Sequence, residues 1–271
     1  MTLRGCVLGN SHLSAVRSAA ADPAHIPAGV AIDFIGSAQS GLADVALDGQ
    51  HLIATSASTQ KDFQRFGGVE AIDLTRYDFF MLVGLGLNLY GLEAFYRNYR
   101  CIGLHEWQNG SDNRQLVSRT VAQMIIGNRL QSCLAVRLAH MIGSAVDQPI
   151  FLQAQPRPNK VMLGPNGKYP TFRKMLRRKE TQSLSALFET AAAQLTPHYL
   201  PQPSASIEDD LFTTATYCEG SARLTPEVGK PVLHPPDDYM HANTAYGVLV
   251  LQQLGQALVA RGMAPAEAAC F

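Results

Sequence analysis

The sequence predicts an α/β fold, a parallel sheet covered by helices on both faces. Three observations predict it. Strand-like runs alternate with helical patterns along the whole length. The run Tyr77-Asp78-Phe79-Phe80-Met81-Leu82-Val83 is continuously apolar after its first two residues, as in a strand buried on both faces, where a half-exposed strand would alternate. And the runs end at glycines or small polar residues, the chain chemistry expected at the carboxyl edge of such a sheet.

Taken in order, Leu3 to Leu8 is the first strand; it stops at Gly9-Asn10-Ser11, and His12 to Arg17 has helical character. Gly29 to Ile35 is the second strand, broken by the flexible stretch Gly36-Ser37-Ala38-Gln39-Ser40-Gly41. Asp44 to Ser58 alternates weakly, as in a hairpin or exposed excursion. Tyr77 to Val83 is the third strand and delivers Gly84-Leu85-Gly86-Leu87-Asn88 to the same edge. Asp112 to Ser144 carries apolar residues at helical spacing, which predicts one long helix or two broken near Gly127-Asn128. Pro149 to Gln153 is a fourth strand, closed by the proline-fixed loop around Arg157. Thr181 to Leu195 is helical, His198 to Leu200 a short fifth strand, and Thr244 to Leu258 the last helix. Between Asn159 and Glu180 the composition turns rich in Gly, Pro and basic residues, so a lid-like insertion around 159–180 is expected on a single domain spanning 1–271.

Composition removes several functions. Lys plus Arg and Asp plus Glu number 22 each, so no net field draws the protein to nucleic acid or an anionic membrane, and a small-molecule or carbohydrate substrate is the expected partner. The five cysteines are scattered without a C-x-x-C pair, which disfavours a disulfide framework or a zinc site. The N-terminus offers one basic residue, Arg4, with no apolar signal core, and the longest apolar runs are far below the roughly 20 residues that span a bilayer. A soluble, cytoplasmic protein is expected. Gly84-x-Gly86 lacks the third glycine of a dinucleotide fingerprint, Gly164-Pro-Asn-Gly167-Lys168 is too short for a P-loop, and His105-Glu106 lacks a second histidine at metal spacing.

What remains is a nucleophile with a distant base. Ser11 stands where a strand hands its chain to a helix, and Asp238-Tyr239-Met240-His241 precedes the last helix. An aspartate and a histidine three apart can share one side of a turn, so the carboxylate can orient an imidazole that deprotonates a serine. Asp237 is a rival for Asp238, and a serine turn or an aspartate cap is ordinary structural chemistry in its own right. An elbow-type α/β-hydrolase is disfavoured, because Leu13 occupies the second glycine of G-x-S-x-G. Asn88 can donate its amide to an oxyanion, beside the backbone amides of Ser11 and of Gly41 or Gly36; one such donor is typically worth about 3 kcal/mol in the transition state. Arg157, held between two prolines at a strand end, is the candidate substrate contact, and the basic run Arg173 to Lys179 is either a solvated helix face or an anion grip.

Gly9-Asn10-Ser11, Gly41, Gly86-Leu87-Asn88 and Asp238 to His241, in that order, resemble the four blocks of the SGNH (GDSL-like) hydrolases, from Leu3 to about Leu258. The first block commonly reads Gly-Asp-Ser and here has Asn10; the third often continues into aspartate and here has Leu89. The Gly-Asn-Ser-His opening is also similar to that of acetyltransferases and esterases acting on bacterial surface sugars. The resemblance implies a three-layer α/β/α domain with a flavodoxin-like five-stranded sheet. It also implies an ester hydrolase with Ser11, Asp238 and His241 as triad and Ser11, Gly41 and Asn88 as oxyanion hole, working without metal or diffusible cofactor. Short acyl esters, such as O-acetyl on a carbohydrate, are the implied substrates. An O-acyltransferase and a catalytically silent ligand-binding relative are the alternatives.

Overall fold

The computed structural model describes residues 2–37, 41–103, 113–164, 169–225 and 231–264. Five parallel strands form its main sheet: β1 (Leu3–Gly9), β2 (Val30–Gly36), β3 (Phe79–Val83), β4 (Ile150–Gln153) and β5 (His198–Leu200). Each lies within two residues of its expected run. They are ordered β5-β4-β3-β1-β2, every pairing parallel. The order reverses direction between β1 and β3, and in open α/β sheets that switch point opens a crevice beyond the carboxyl ends of the strands. Ser11 follows one of those two strands and Gly84 to Asn88 follow the other.

Side chains alternate across the sheet, so each strand feeds two cores. Cys6, Leu8, Ile35, Phe80, Leu82, Ile150 and Leu152 join one cluster, whereas Val7, Phe79, Met81, Val83, Phe151 and Leu200 join the other. Among the described residues eight α-helices accompany the sheet: α1 (Leu13–Ala19), α2 (Ala57–Asp62), α3 (Gly91–Asn98), α4 (Arg119–Gln131), α5 (Leu134–Gly143), α6 (Pro170–Arg177), α7 (Thr181–Ala192) and α8 (Thr244–Ala260). Helices α3 to α7 bury their apolar residues in the first cluster, and α1 and α8 in the second. Among the described residues no helix is long and apolar enough to cross a membrane.

Two expectations change in detail, and of two alternatives for a third stretch one is found. The helical stretch breaks at Ser132-Cys133 rather than at Gly127-Asn128. Gly127 stays inside α4 facing open space, whereas Cys133 is extended and the Ala135 amide bonds the Leu85 carbonyl, which starts α5 against the loop after β3. Gln115–Val117 forms a short strand beside Tyr99–Cys101, too brief to leave a period in the sequence. The excursion near Asp44 is a hairpin, Val45–Asp48 with His51–Ala54, extended by Ala71–Asp73. Residues 38–40, His105-Glu106, Asp112, 165–168 and Cys270 lie outside the described residues.

The 159–180 stretch contains a 3₁₀ turn, Lys160–Leu163, and then α6, whose Phe172 and Met175 are fully buried. The Asn159 amide bonds the Tyr239 carbonyl at 2.8 Å, and the Tyr169 ring meets the Tyr239 ring edge-on at 6.2 Å. The excursion is therefore packed against the segment that carries Asp238 and His241.

Helices α1 and α8 approach closely because Gly247 has no side chain: a Cβ there would lie 2.0 Å from the Ala15 carbonyl oxygen. Gly247→Ala is expected to destabilise the fold by about 2 kcal/mol, since overpacking against rigid backbone outweighs the helix propensity alanine gains. A lowered urea midpoint with unchanged m-value is the result that checks it.

Candidate active site

β1 ends at Gly9, and Asn10-Ser11-His12 turns directly into α1 through bonds from the Leu13 amide to the Asn10 carbonyl (2.9 Å) and from the Ser14 amide to the Ser11 carbonyl (3.2 Å). The Asn10 side chain lies over Gly84, where a Cβ would come within 2.6 Å of its Oδ1, so the end of β1 rests on the end of β3. Gly84 has φ +75°, a left-handed backbone that glycine adopts without strain. Ser11 is half-buried, and its backbone N–H has no hydrogen-bond partner among the described residues.

The partner comes from 230 residues away. His241 Nε2 lies 2.9 Å from Ser11 Oγ, and His241 Nδ1 lies 3.1 and 3.0 Å from the two Asp238 carboxylate oxygens. Asp238 Oδ1 also accepts the Met240 and His241 amides, both at 2.9 Å. Burial alone would raise the Asp238 pKa, but the hydrogen bonds from the His241 ring and from these amides outweigh it and hold the carboxyl well below the usual carboxylate range. An ionised Asp238 favours the tautomer with the proton on Nδ1, leaving Nε2 to accept the serine proton.

Local chemistry explains the placement. Asn243 caps α8 by accepting the Tyr246 amide, and its Nδ2 donates to the Thr216 and Glu219 carbonyls at 2.8 Å each, so the start of the helix is tied to the preceding turn. With Gly247 seated against Ala15, the residues just before α8 fall beside the start of α1. Asp238 itself sits in a turn whose amide bonds the Pro235 carbonyl at 3.0 Å.

Two further histidines enclose His241. The His234 ring stacks on it at 3.8 Å and 9° between planes, and the His12 ring lies on the other side at 4.8 Å and 23°. Burial first, and then the neighbouring His241, push His12 down to about 3 and His234 down to about 4. Both rings are thus neutral at neutral pH. Sequence reading passed over their role; the available signals were the adjacency of His12 to Ser11 and the spacing of His234 four residues before Asp238. Candidate ligand atoms of His234, Asp238 and His241 all lie within 4.8 Å of one another. Face-to-face rings, however, direct their in-plane lone pairs side by side rather than at one point, so the donor set does not fit a metal.

The remaining candidates are placed differently. After β2, Ser37 Oγ donates to Asp62 (2.5 Å) and Thr59 Oγ1 donates to the Gly41 carbonyl (2.9 Å), and a Cβ on Gly41 would lie 1.9 Å from Ser37 Oγ. Gly36 ends β2 under Leu224, whose Cδ2 would lie 2.7 Å from an added Cβ. Asn88 is not hydrogen-bonded to Ser11 or His241: its Nδ2 donates to the Gly86 carbonyl at 3.0 Å, and it borders a cavity of about 170 Å³ between α3 and α4 together with Leu92, Phe95 and Arg129. The cause is the loop backbone, with Gly84, Leu85 and Gly86 all at positive φ, which coils Asn88 back over Gly86.

Arg157 corrects the sequence expectation most clearly. It is 5% exposed, its guanidinium donates to Glu189 Oε1 at 2.6 Å and to the Asp210 carbonyl, and its amide bonds Gln202 Oε1. Its cation is engaged inside the fold and not offered to a substrate. Arg173 likewise donates to the Leu163 and Gly164 carbonyls. Arg157→Met is expected to cost about 2 kcal/mol, below the 3–5 of a broken fully buried pair because Glu189 keeps 30% exposure. Denaturant unfolding checks the loss, and KM is expected to stay unchanged.

No protein-family model matches the chain, and no curated protein sequence matches it. Among solved structures, a lipopolysaccharide acetyltransferase periplasmic domain from Salmonella ser. Paratyphi A superposes with a TM-score of 0.42 at 8% identity, over 96% of this chain and 84% of that one. A likeness at that level carries no argument about function.

Proposed function

We propose that the chain is an SGNH-type serine esterase, acting on a short acyl ester of a carbohydrate or small molecule through an acyl-enzyme on Ser11. The single observation that carries this reading is the unbroken chain Ser11 Oγ, His241 Nε2, His241 Nδ1, Asp238, with every link between 2.9 and 3.1 Å. Serine hydroxyls are weak nucleophiles until an oriented base takes their proton, and this arrangement supplies one.

In the proposed cycle Ser11 Oγ bonds the ester carbonyl carbon as its proton passes to His241 Nε2. The tetrahedral oxyanion forms against the free Ser11 amide, with the Gly41 amide and Asn88 as further donors once the Asn88 side chain rotates off the Gly86 carbonyl. Collapse breaks the ester C–O bond, and the leaving alkoxide takes the proton from His241. Water then adds to the acyl-Ser11 carbonyl, giving its proton to His241; collapse breaks the bond to Ser11 Oγ, which takes that proton back, and the carboxylic acid departs. A sugar hydroxyl in place of water gives the acyltransferase. No metal or diffusible cofactor enters these steps.

The three-layer domain architecture, with the 159–180 excursion flanking the site, belongs to the same proposal and is supported by the two cores on opposite sheet faces. So does a reducing, cytoplasmic setting, supported by the unpaired thiols of Cys6, Cys101, Cys133 and Cys218. A catalytically silent ligand-binding protein is the second reading, favoured by the Asn88 amide being bonded to Gly86. A serine-directed aryl phosphonate separates the two: covalent labelling that maps by mass to Ser11 supports the enzyme, and an unlabelled protein supports the binding module.

A further inference from the structure

We infer that His234 is a positioning residue for the base, its neutral ring stacking on His241 to hold that imidazole in the plane joining Asp238 to Ser11. The inference rests on the acyl-transfer reading above and goes beyond its triad.

A histidine ring turns about its Cβ–Cγ bond in a broad, roughly two-fold well, so hydrogen bonds at its two nitrogens normally fix its plane. During turnover the Nε2 bond is broken, because the proton moves on to the leaving group and Ser11 becomes acylated. Something else must then keep the ring aligned. His234 lies parallel to it at 3.8 Å, and His12 closes the opposite face at 4.8 Å, so rotation of the ring would drive its edge into one neighbour or the other. His234 is itself held rigidly: its amide bonds the Ser221 carbonyl at 2.8 Å, the Arg223 amide bonds the Val232 carbonyl, and Ala222 bridges Leu233. Two prolines follow it, Pro235 and Pro236.

The His234 ring leans on Asp238 without competing for it, since its Nδ1 is 3.5 Å from Oδ2 against 3.0 Å for His241. The charged or titratable groups around it are His241, Asp238, His12 on the His241 ring and Arg223. In its neutral form it leaves the carboxylate to His241; as a cation it would draw Asp238 away and oppose the imidazolium. Its lowered pKa keeps that competition confined to acid, and the acid limb of the rate profile should then contain a second ionisation.

The test compares wild type, His234→Phe and His234→Ala on a short-chain aryl acetate across the pH range, together with the proton resonance of the His241 Nδ1–H. Phenylalanine keeps the stacking ring and removes the titration. His234→Phe is expected to keep kcat within about threefold and to remove one ionisation, that of His234, from the acid limb. His234→Ala is expected to lower kcat about tenfold at unchanged KM, as misalignment of a catalytic group does, and to broaden the Nδ1 proton signal. Wild-type kcat and an unbroadened signal in His234→Ala would overturn the inference, as would a His234→Phe enzyme as impaired as the alanine variant, which would place the effect in the polar contact with Asp238. Failure of the esterase reading itself shows separately, as absent phosphonate labelling at Ser11, while the Nδ1 resonance still reports the stack.

Discussion

Ser11→Ala is expected to lower acetate release from a short-chain aryl ester by about 10⁴- to 10⁶-fold in kcat while the protein unfolds at the same urea concentration as wild type. Stability should hold because the Ser11 hydroxyl is half-buried and makes a single bond, to His241 Nε2, and solvent can replace it. The rate should collapse because in the proposed cycle Ser11 Oγ is the atom that bonds the acyl carbon. His241 and Asp238 without it form a base with no nucleophile to activate. Residual turnover would come from oxyanion donors and from water reaching the base directly. Equal activity of mutant and wild type would remove Ser11 from the mechanism and with it the proposed function. Equal inactivity on the aryl ester would turn attention to acyl transfer onto a sugar acceptor or to the silent binding protein, and phosphonate labelling distinguishes those two.

Much of this site was legible because it depends on where strands end. A parallel sheet collects the segments after its strands at one edge, so Ser11 after β1 and Asn88 after β3 could be placed near that edge from the apolar runs alone. Asp238 and His241 were legible through their spacing, which is local. The two stacked histidines were not, because stacking depends on a β-bridge between Ala222 and Leu233 and on close packing of α8 against α1, neither of which leaves a period in the sequence. The misreading of Arg157 has the same origin. An arginine between prolines at a strand end is exposed or buried according to what later chain covers it. Here Glu189 on α7 and the Asp210 carbonyl arrive from 32 and 53 residues away. The orientation of Asn88 was set by a run of left-handed residues that includes Leu85, a non-glycine held there by full burial and by its carbonyl accepting the Ala135 amide.

Asp238→Asn gives the second large effect, and its direction follows from which protons the carboxylate controls. The ionised group accepts the His241 ring proton and the two backbone amides at once. Asparagine can keep one oxygen on the amides, but its NH₂ then faces His241 Nδ1 as a donor and favours the opposite tautomer, with the proton on Nε2 pointing at Ser11. The base is lost although the geometry is kept. The expected loss is about 10³- to 10⁴-fold in kcat, smaller than for Ser11→Ala because a minority tautomer still turns over. Stability supplies an independent check through its pH dependence. The Asp238 pKa is lowered in the folded state, so its stabilising contribution is complete above the unfolded carboxyl value near 3.9 and is lost as pH falls through the folded one. Wild type should therefore be more stable than Asp238→Asn at neutral pH, and the difference between them should shrink as the solution is acidified below about pH 4. An untouched kcat in Asp238→Asn would mean that the carboxylate serves only as a turn acceptor for the Met240 and His241 amides and leaves the base unoriented, and a stability gap that stayed constant across that range would mean that the fold does not favour the ionised carboxyl.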